Sequence, residues 1–188
     1  MEDEKIIKDI NKYKTESVGD VYSGYLIKEK EYKFEKNFFF DDKMSIYMPI
    51  DFIDLPEDLK KMKYPSENRP QVIKSNDTNT VNIAFSLLPV DFTEDQVENM
   101  RNTFKNILQN YNPQFSFLEE NVMEKNNKKI AWFDYTCHVL DGSMYSLVAC
   151  MEIDKKVFHA VFNCTVEEMK LWKVVFLDML QSIEVNEK

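Results

Sequence analysis

Few cysteine, histidine and carboxylate side chains in this sequence are spaced to act together, and one pair stands out. A tight turn at Asp154-Lys155 would place Cys150 beside His159 on neighbouring strands. A thiol next to an imidazole can serve as a nucleophile with its general base. Free cysteine is also among the most buried residue types, so a core thiol packed beside a hydrogen-bonded histidine is the commoner arrangement. We expect the second arrangement and predict no catalytic residue.

Polar residues also interrupt an otherwise apolar predicted strand. Asp134 and His138 share one face of that strand with Trp132, and Tyr145 follows on the next strand. A polar side chain on a covered face must be hydrogen-bonded or hydrated. These four residues could line a small ligand pocket. The alternative, which we favour, is that this end of the sheet extends beyond its covering helix.

Metal and nucleotide sites have little support in the sequence. His138 and His159 are predicted on opposite faces of the sheet, and two histidines are too few for most hydrolytic zinc sites. The chain has 3 glycines, which argues against a glycine-rich phosphate loop. We therefore predict neither a metal nor a cofactor.

Charge narrows the range of partners. The chain carries 24 lysines and arginines against 33 acidic residues, a formal net charge of −9. Nucleic acids and anionic membranes are bound chiefly through lysine and arginine, so neither is an expected partner. A basic protein would be attracted, although net charge of this size also simply keeps a domain in solution.

Two features suit contact with another protein. The loop from Tyr64 to Arg69 combines an aromatic side chain, an arginine and proline, and tyrosine and arginine are enriched in interface hot spots. The same loop could instead be a rigid connector. In the run of phenylalanines at 38–40, a strand that buries alternate residues exposes one of the three, and we predict that it is Phe39.

Apolar periodicity predicts an α+β fold, with an antiparallel sheet made of N-terminal hairpins and a meander, and with helices on both sides of it. Residues 1–35 are predicted to be an extension with a helix at 3–13 and uncertain strands, and residues 36–188 the main domain. Strands are predicted at 38–40, 43–48, 71–74, 81–88, 115–125, 129–140, 143–153 and 156–164, and a short helix at 56–62.

Capping boxes at Thr93 and Thr165 predict the starts of two long amphipathic helices. The apolar stripe of the first comprises Val97, Met100, Phe104, Ile107, Leu108 and Tyr111. In the meander, Asp141-Gly142 predicts a two-residue turn, which pairs Tyr135 with Val148. Both faces of the meander are apolar, so we expect both to be covered.

The cellular location is predicted from what the sequence lacks. No apolar stretch of signal-peptide length follows the N-terminus, and 18 consecutive apolar residues occur nowhere, so we expect no membrane span. Three cysteines without close spacing fit a reducing compartment. The expected location is the cytoplasm.

The order of the predicted elements resembles the PsbP-like fold. A hairpin strand ending in proline, Met44-Ser45-Ile46-Tyr47-Met48-Pro49, precedes a short helix, a proline-bounded loop, a hairpin, a long helix, a meander and a closing helix. That superfamily includes the photosystem II PsbP proteins, the Ran-binding Mog proteins and the bacterial DcrB-like proteins. The resemblance, over roughly residues 36–185, implies a sheet between helices. It also implies binding or adaptor roles, including adaptor chaperones for secreted effectors among DcrB-like relatives.

Taken together, the sequence predicts a non-enzymatic, protein-binding or adaptor-like module whose partner and oligomeric state it does not specify. One alternative is a ligand-binding protein or enzyme with a pocket near Asp134 and His138. Another is an immunity-type inhibitor whose acidity neutralises a basic toxin. A deep cavity at those two residues favours the ligand hypothesis, whereas a grooved face with exposed apolar side chains favours protein binding.

Overall fold

A computed structural model describes residues 17–139 and 142–186, and within those ranges it contains thirteen β-strands and three α-helices. The predicted helix at 3–13 lies outside the described residues. The elements in chain order are β1 (Ser17–Asp20), β2 (Gly24–Ile27), β3 (Lys30–Tyr32), β4 (Phe34–Phe39), β5 (Met44–Pro49), β6 (Ile53–Asp54), α1 (Glu57–Lys63), β7 (Val72–Ser75), β8 (Asn82–Asp91), α2 (Val97–Tyr111), β9 (Ser116–Lys125), β10 (Lys128–Val139), β11 (Gly142–Ile153), β12 (Lys156–Thr165), α3 (Met169–Gln181) and β13 (Glu184–Val185).

The predicted fold class is confirmed. Strand pairs among the described residues are antiparallel, and helices alternate with them as the periodicity indicated. Thr93 caps a 3₁₀ turn, Glu94–Gln96, that leads directly into the long helix α2. Its backbone N–H donates to Gln96 Oε1 at 3.0 Å, which completes the capping box ahead of α2.

The described residues form two compact units. Residues 17–51 and 167–186 make up the first, and residues 52–166 make up the second. The boundary that we predicted between residues 35 and 36 therefore falls inside the first unit. In this unit, strands β1 to β3 form one sheet, and β13, β5 and β4 form another in that order.

Helix α3 holds the N-terminal strands of the first unit in place. The buried Ser17 hydroxyl donates to the Leu171 carbonyl oxygen at 3.0 Å, and the Tyr25 hydroxyl donates to Asp178 Oδ2 at 2.9 Å. Residues 17–32, which we assigned to the extension, are thus packed against the C-terminal helix.

The exposed phenylalanine in the run 38–40 is Phe38, so the prediction that Phe39 is exposed was wrong. Phe38 is 54% exposed, whereas Phe39 is half-buried. Phe39 lies opposite Met44 in the pairing of β4 with β5 and shares its face of the strand pair. Phe38 points to the other face of β4, where the Lys36 ammonium lies 6.0 Å from its ring centre.

The second unit is built on a seven-stranded sheet with the strand order β6-β7-β8-β12-β11-β10-β9. We call the face that carries Phe133, Val148 and Val161 the outer face. Helix α2 packs on it through Phe104 and Leu108. The opposite, inner face is also buried, as expected.

The register of the meander differs from the prediction at one turn and agrees at the next. Tyr135 pairs with Ser146, two residues away from the predicted Val148. A shift of two residues leaves every side chain on its predicted face, because the side-chain period of a strand is two. The loop concerned, residues 140 and 141, lies outside the described residues. The predicted turn at Asp154-Lys155 is confirmed, with φ of 52° and 58° at these two residues.

Candidate functional site

Cys150 and His159 lie opposite each other on β11 and β12, as the sequence predicted. The thiol is 1% exposed and donates to the Val97 carbonyl oxygen at 3.6 Å. Burial raises the pKa of Cys150 to about 12 and lowers the pKa of His159 to about 4. The imidazole lies against the Phe104 ring, with 4.5 Å between ring centres. At neutral pH the thiol is protonated and the imidazole is a weak base, so the geometry favours core packing over nucleophilic catalysis.

Asp134 accepts a hydrogen bond from the backbone of the edge strand β9. The pairing of β10 with β9 shifts between Phe133 and Tyr135, which marks a β-bulge in β9 opposite Asp134. The fully buried carboxylate fills this irregularity: Oδ1 accepts the backbone N–H of Glu119 at 2.7 Å, and Oδ2 accepts the Tyr145 hydroxyl at 2.8 Å. This pairing accounts for an acidic residue on an apolar face.

Three of the four pocket candidates lie together in the core, and His138 lies apart from them. Trp132, Asp134 and Tyr145 are at most 5% exposed. Burial and the neighbouring Asp134 charge raise the pKa of Tyr145 well above its usual value, so its hydroxyl stays protonated. His138 is exposed and hydrogen-bonds through Nδ1 to Ser143 Oγ at 2.9 Å. His138 lies four residue steps along the strand from Asp134, a distance of about 13 Å.

The loop from Tyr64 to Arg69 is closed on itself. Arg69 Nε donates to the Tyr64 carbonyl oxygen at 2.7 Å. The half-buried Tyr64 side chain packs against Leu55 and Ile73 on the outer face, and burial raises its pKa. One hydrogen bond therefore joins the two ends of the loop, and part of the Tyr64 side chain remains exposed.

A more open surface lies along β12, the middle strand of the sheet. Its inner-face residues Phe158, Ala160 and Phe162 are at most 1% exposed. The alternate residues His159, Val161 and Asn163 are only half-buried. A central strand normally has both faces covered, so the outer side of β12 is a partial gap in the cover of this sheet: the Phe104 ring lies against His159, and Val161 packs against apolar neighbours on both sides.

The placement of α2 explains the gap. Arg101 and Lys105 reach Glu120 on β9 at 3.6 and 2.5 Å, so that side of the helix faces the β9 edge of the sheet. The other side of the helix overlooks β12. Ile107 lies on that side and is 57% exposed, whereas Tyr111 lies on the same face as Phe104, at the last residue of the helix, and is 83% exposed. Both belong to the predicted apolar stripe, yet neither is buried, because Ile107 lies at the margin of the stripe and Tyr111 at the end of the helix.

We call this gap the β12 groove. Its floor consists of His159, Val161 and Asn163, and Ser86 on β8 lies beside His159 in the register. One wall is the exposed side of α2, and the other is Tyr64, which packs over β7 and β8. Beside the first turns of α2 there is an open depression of about 270 Å³, lined by Val90, Asp91, Phe92, Gln96, Asn99, Met100 and Thr103.

The far end of the groove carries a chain of polar side chains. Asn82 Nδ2 donates to Asn163 Oδ1 at 2.9 Å, and Lys63 Nζ donates to Asn82 Oδ1 at 3.2 Å. The Asn163 side chain also hydrogen-bonds the Tyr64 hydroxyl. Lys63 Nζ makes a second bond to the Asn79 carbonyl oxygen at 2.6 Å. Desolvation lowers the pKa of Lys63.

The groove is therefore lined by apolar and uncharged polar side chains, with one ammonium at an end. Sequence reasoning found Tyr64 but missed Val161, Asn163 and Lys63. One signal was available in the sequence: His159 and Asn163 are polar residues on the same face of a central strand. Across the part of the chain that the structure describes, no three His, Cys, Asp or Glu side chains are grouped as metal ligands. No helix in that part is long and apolar enough to cross a bilayer.

No protein-family model matches the sequence, and no curated protein sequence matches it. Solved structures do share the fold. The cyanobacterial PsbP protein CyanoP of Synechocystis sp. PCC 6803 superposes with a TM-score of 0.61 at 13% identity, over 81% of this chain and 92% of that one. LpqN of Mycobacterium tuberculosis, described as involved in cell envelope biogenesis, gives 0.55 at 13% identity, over 82% and 91% of the chains.

A third structure, from Bacteroides thetaiotaomicron, gives a TM-score of 0.55 at 11% identity, over 82% of this chain and 49% of that longer chain. Identities this low establish the fold and nothing about activity. The predicted PsbP-like fold is confirmed.

Proposed function

We propose that this chain, whose fold is PsbP-like, is a non-enzymatic binding module that holds an extended segment of another protein in the β12 groove. The observation that carries the proposal is the partly uncovered outer side of a central strand, where Val161 and Asn163 are half-buried, beside the exposed Ile107 of α2. Exposed apolar side chains around a groove are typical of interaction sites.

The dimensions suit a peptide. From Val157 to Asn163 the strand spans about 20 Å, which is the length of roughly six extended residues. The groove is open to solvent along its side, whereas sites for small ligands enclose most of the ligand surface. The hydroxyl of Ser86 and the amide of Asn163 can hydrogen-bond peptide groups, and Val161 and Ile107 offer apolar contact.

The other hypotheses have weaker support. Asp134 and Tyr145 are already bonded to each other, which leaves the pocket hypothesis without its central residues. The toxin-inhibitor hypothesis rests on net charge alone. Glu120, one of the acidic side chains on the exposed β9 edge, is already bound to Arg101 and Lys105.

A pair of matched substitutions tests the proposal. Ile107→Asp places a charge in the groove, and Leu118→Asp places the same charge at a residue of similar exposure, 48%, on β9 of the same unit. Both variants and the parent protein are used to select random extended peptides from a displayed library and to capture proteins from lysate. We expect Ile107→Asp to weaken the binding of selected peptides about tenfold or more, as loss of an interface anchor does.

Leu118→Asp should bind as the parent protein does. Equal binding by all three proteins, or equal loss in both variants, would contradict the proposal. Circular dichroism of both variants checks that the substitutions leave the fold intact.

A further inference from the structure

The polar end of the β12 groove has the hydrogen-bond donors and the positive charge that are needed to bind one anionic group. Asn82, Asn163 and Tyr64 are linked by hydrogen bonds, and Lys63 is attached to this chain through Asn82. The cluster is rich in donors. It contains one formal charge, the ammonium of Lys63, and its other members are neutral at physiological pH.

The Lys63 ammonium has more hydrogen-bond donors than it has acceptors among the described residues. A lysine ammonium has three N–H donors. Two acceptors bind it among the described residues: the carbonyl oxygen of Asn79 at 2.6 Å and Oδ1 of Asn82 at 3.2 Å. Across that same part of the chain, Lys63 forms no ion pair with a carboxylate. Lys60, one turn earlier on α1, is instead bound to Glu57 at 2.8 Å.

The place of Lys63 in the fold determines which groups its ammonium can contact. Lys63 is the last residue of α1, and Tyr64, the next residue, is a wall of the groove. Asn163, on the groove floor, is only one side chain away through Asn82. A group lying along β12 past Val161 would therefore meet the Tyr64 hydroxyl and the Lys63 ammonium together.

We propose that this cluster binds the C-terminal carboxylate of the peptide segment held in the β12 groove. The inference rests on the proposed function. It specifies that the C-terminal end of the bound segment lies at this cluster, and so it also specifies the direction in which the segment runs along β12. A carboxylate accepts from both an ammonium and a hydroxyl, and such charge-assisted hydrogen bonds are roughly twice as strong as neutral ones. The partial desolvation of Lys63, which lowers its pKa, makes its ammonium gain more from an anion.

A peptide terminus fits better than a fatty acid, which has the same carboxylate. The floor alternates apolar and polar side chains at His159, Val161 and Asn163, as a peptide backbone with side chains requires. A fatty acyl chain offers no hydrogen-bonding groups to match them. The open side of the groove would also leave an acyl chain in contact with water.

Short synthetic probes test this assignment on the full chain. N-acetyl-Val-Ala-Val is prepared as the free acid and as the carboxamide, and both are titrated while ¹H–¹⁵N spectra are recorded. We expect the acid to bind with roughly millimolar affinity, as befits a small ligand, and to shift the side-chain amides of Asn82 and Asn163. The amide should bind at least fivefold more weakly.

Two lysine variants on one helix provide the matched comparison. Lys63→Met should abolish the preference for the acid, whereas Lys60→Met, which removes the same charge from the same helix, should retain it. Equal binding of acid and amide by the parent protein, or no binding of the acid at 20-fold the expected dissociation constant, would overturn the proposal. So would tight binding of hexanoate without binding of the tripeptide acid, which would indicate a fatty acyl ligand.

The two proposals can fail separately. If selected peptides still depend on Ile107 while the acid and amide probes bind equally, the groove binds peptides without a seat for their terminus. If Ile107→Asp binds selected peptides as the parent does, the groove itself is excluded, and the carboxylate seat is excluded with it.

Discussion

Removing the Asp134 carboxylate tests the structural role that its hydrogen bonds assign to it. The change Asp134→Ala leaves two donors without an acceptor: the backbone N–H of Glu119 and the hydroxyl of Tyr145. Each unsatisfied donor costs about 1–3 kcal/mol where water cannot replace the partner. Tyr145 is fully buried and so incurs the larger share, whereas Glu119 lies on an edge strand. We expect a total loss of about 3 kcal/mol in the free energy of unfolding.

A double-mutant cycle with Tyr145→Phe separates this role from simple loss of packing. In the Asp134→Ala background the Tyr145 hydroxyl is already unsatisfied, so its removal should cost little. The two changes should therefore be non-additive by about 1–2 kcal/mol. Asp134→Asn keeps an acceptor for the Glu119 N–H and should cost less than Asp134→Ala.

The assay needs a signal from the second unit alone. The chain has 2 tryptophans, and the change Trp172→Phe leaves Trp132, which lies on the same strand as Asp134. Urea unfolding of all variants in that background is followed by Trp132 fluorescence. A loss below about 1 kcal/mol for Asp134→Ala, or strict additivity with Tyr145→Phe, would refute a structural role and return Asp134 to the pocket hypothesis.

Three further outcomes are expected. Cys150, with its pKa raised to about 12, should resist iodoacetamide at pH 8 in the native protein and react only after unfolding; rapid native labelling would contradict its burial. The pKa of His159 should be about 4 by NMR, and Phe104→Ala should raise it toward its usual 6.5. In the parent protein, the unfolded chain binds a proton at His159 more readily than the folded chain does. The free energy of unfolding should therefore fall as the pH drops from about 6.5 to about 4. A contribution of His159 to this free energy that does not change over that pH range would contradict the prediction. Gly19→Ala places a Cβ 2.0 Å from the Gly24 carbonyl oxygen and should destabilise the first unit, whereas Gly142→Ala, also at positive φ but without a neighbour within 4 Å, should cost less when urea unfolding of each variant is followed by circular dichroism.

Much of the fold could be predicted because its signals are local. The capping box at Thr93, the turn at Asp154-Lys155 and the period-two pattern of the meander each depend on a few neighbouring residues. The register error was a shift of two residues, which apolar patterning cannot detect because it leaves the same side chains on each face.

The candidate site was harder to predict because it depends on where a helix lies on a sheet. Ile107 and Leu108 both fit an apolar stripe, yet only Leu108 packs against the sheet. The rotation of the helix about its axis decides between them, and it is set by the ion pairs of Arg101 and Lys105 with Glu120 on β9. Asp134 attracted attention as a polar interruption. One of its hydrogen-bond partners is a backbone N–H at a β-bulge in β9, and the residue types of β9 do not indicate where a bulge occurs.

Hydrogen exchange of the protein with and without a bound peptide selected on the parent protein tests the central claim most directly. We predict that the peptide slows exchange at residues 159–163 of β12 and 103–111 of α2, with the strongest effect near Val161. Protection confined to the β9 edge, or to Phe34–Phe39 in the first unit, would show that recognition takes place elsewhere and would contradict the account.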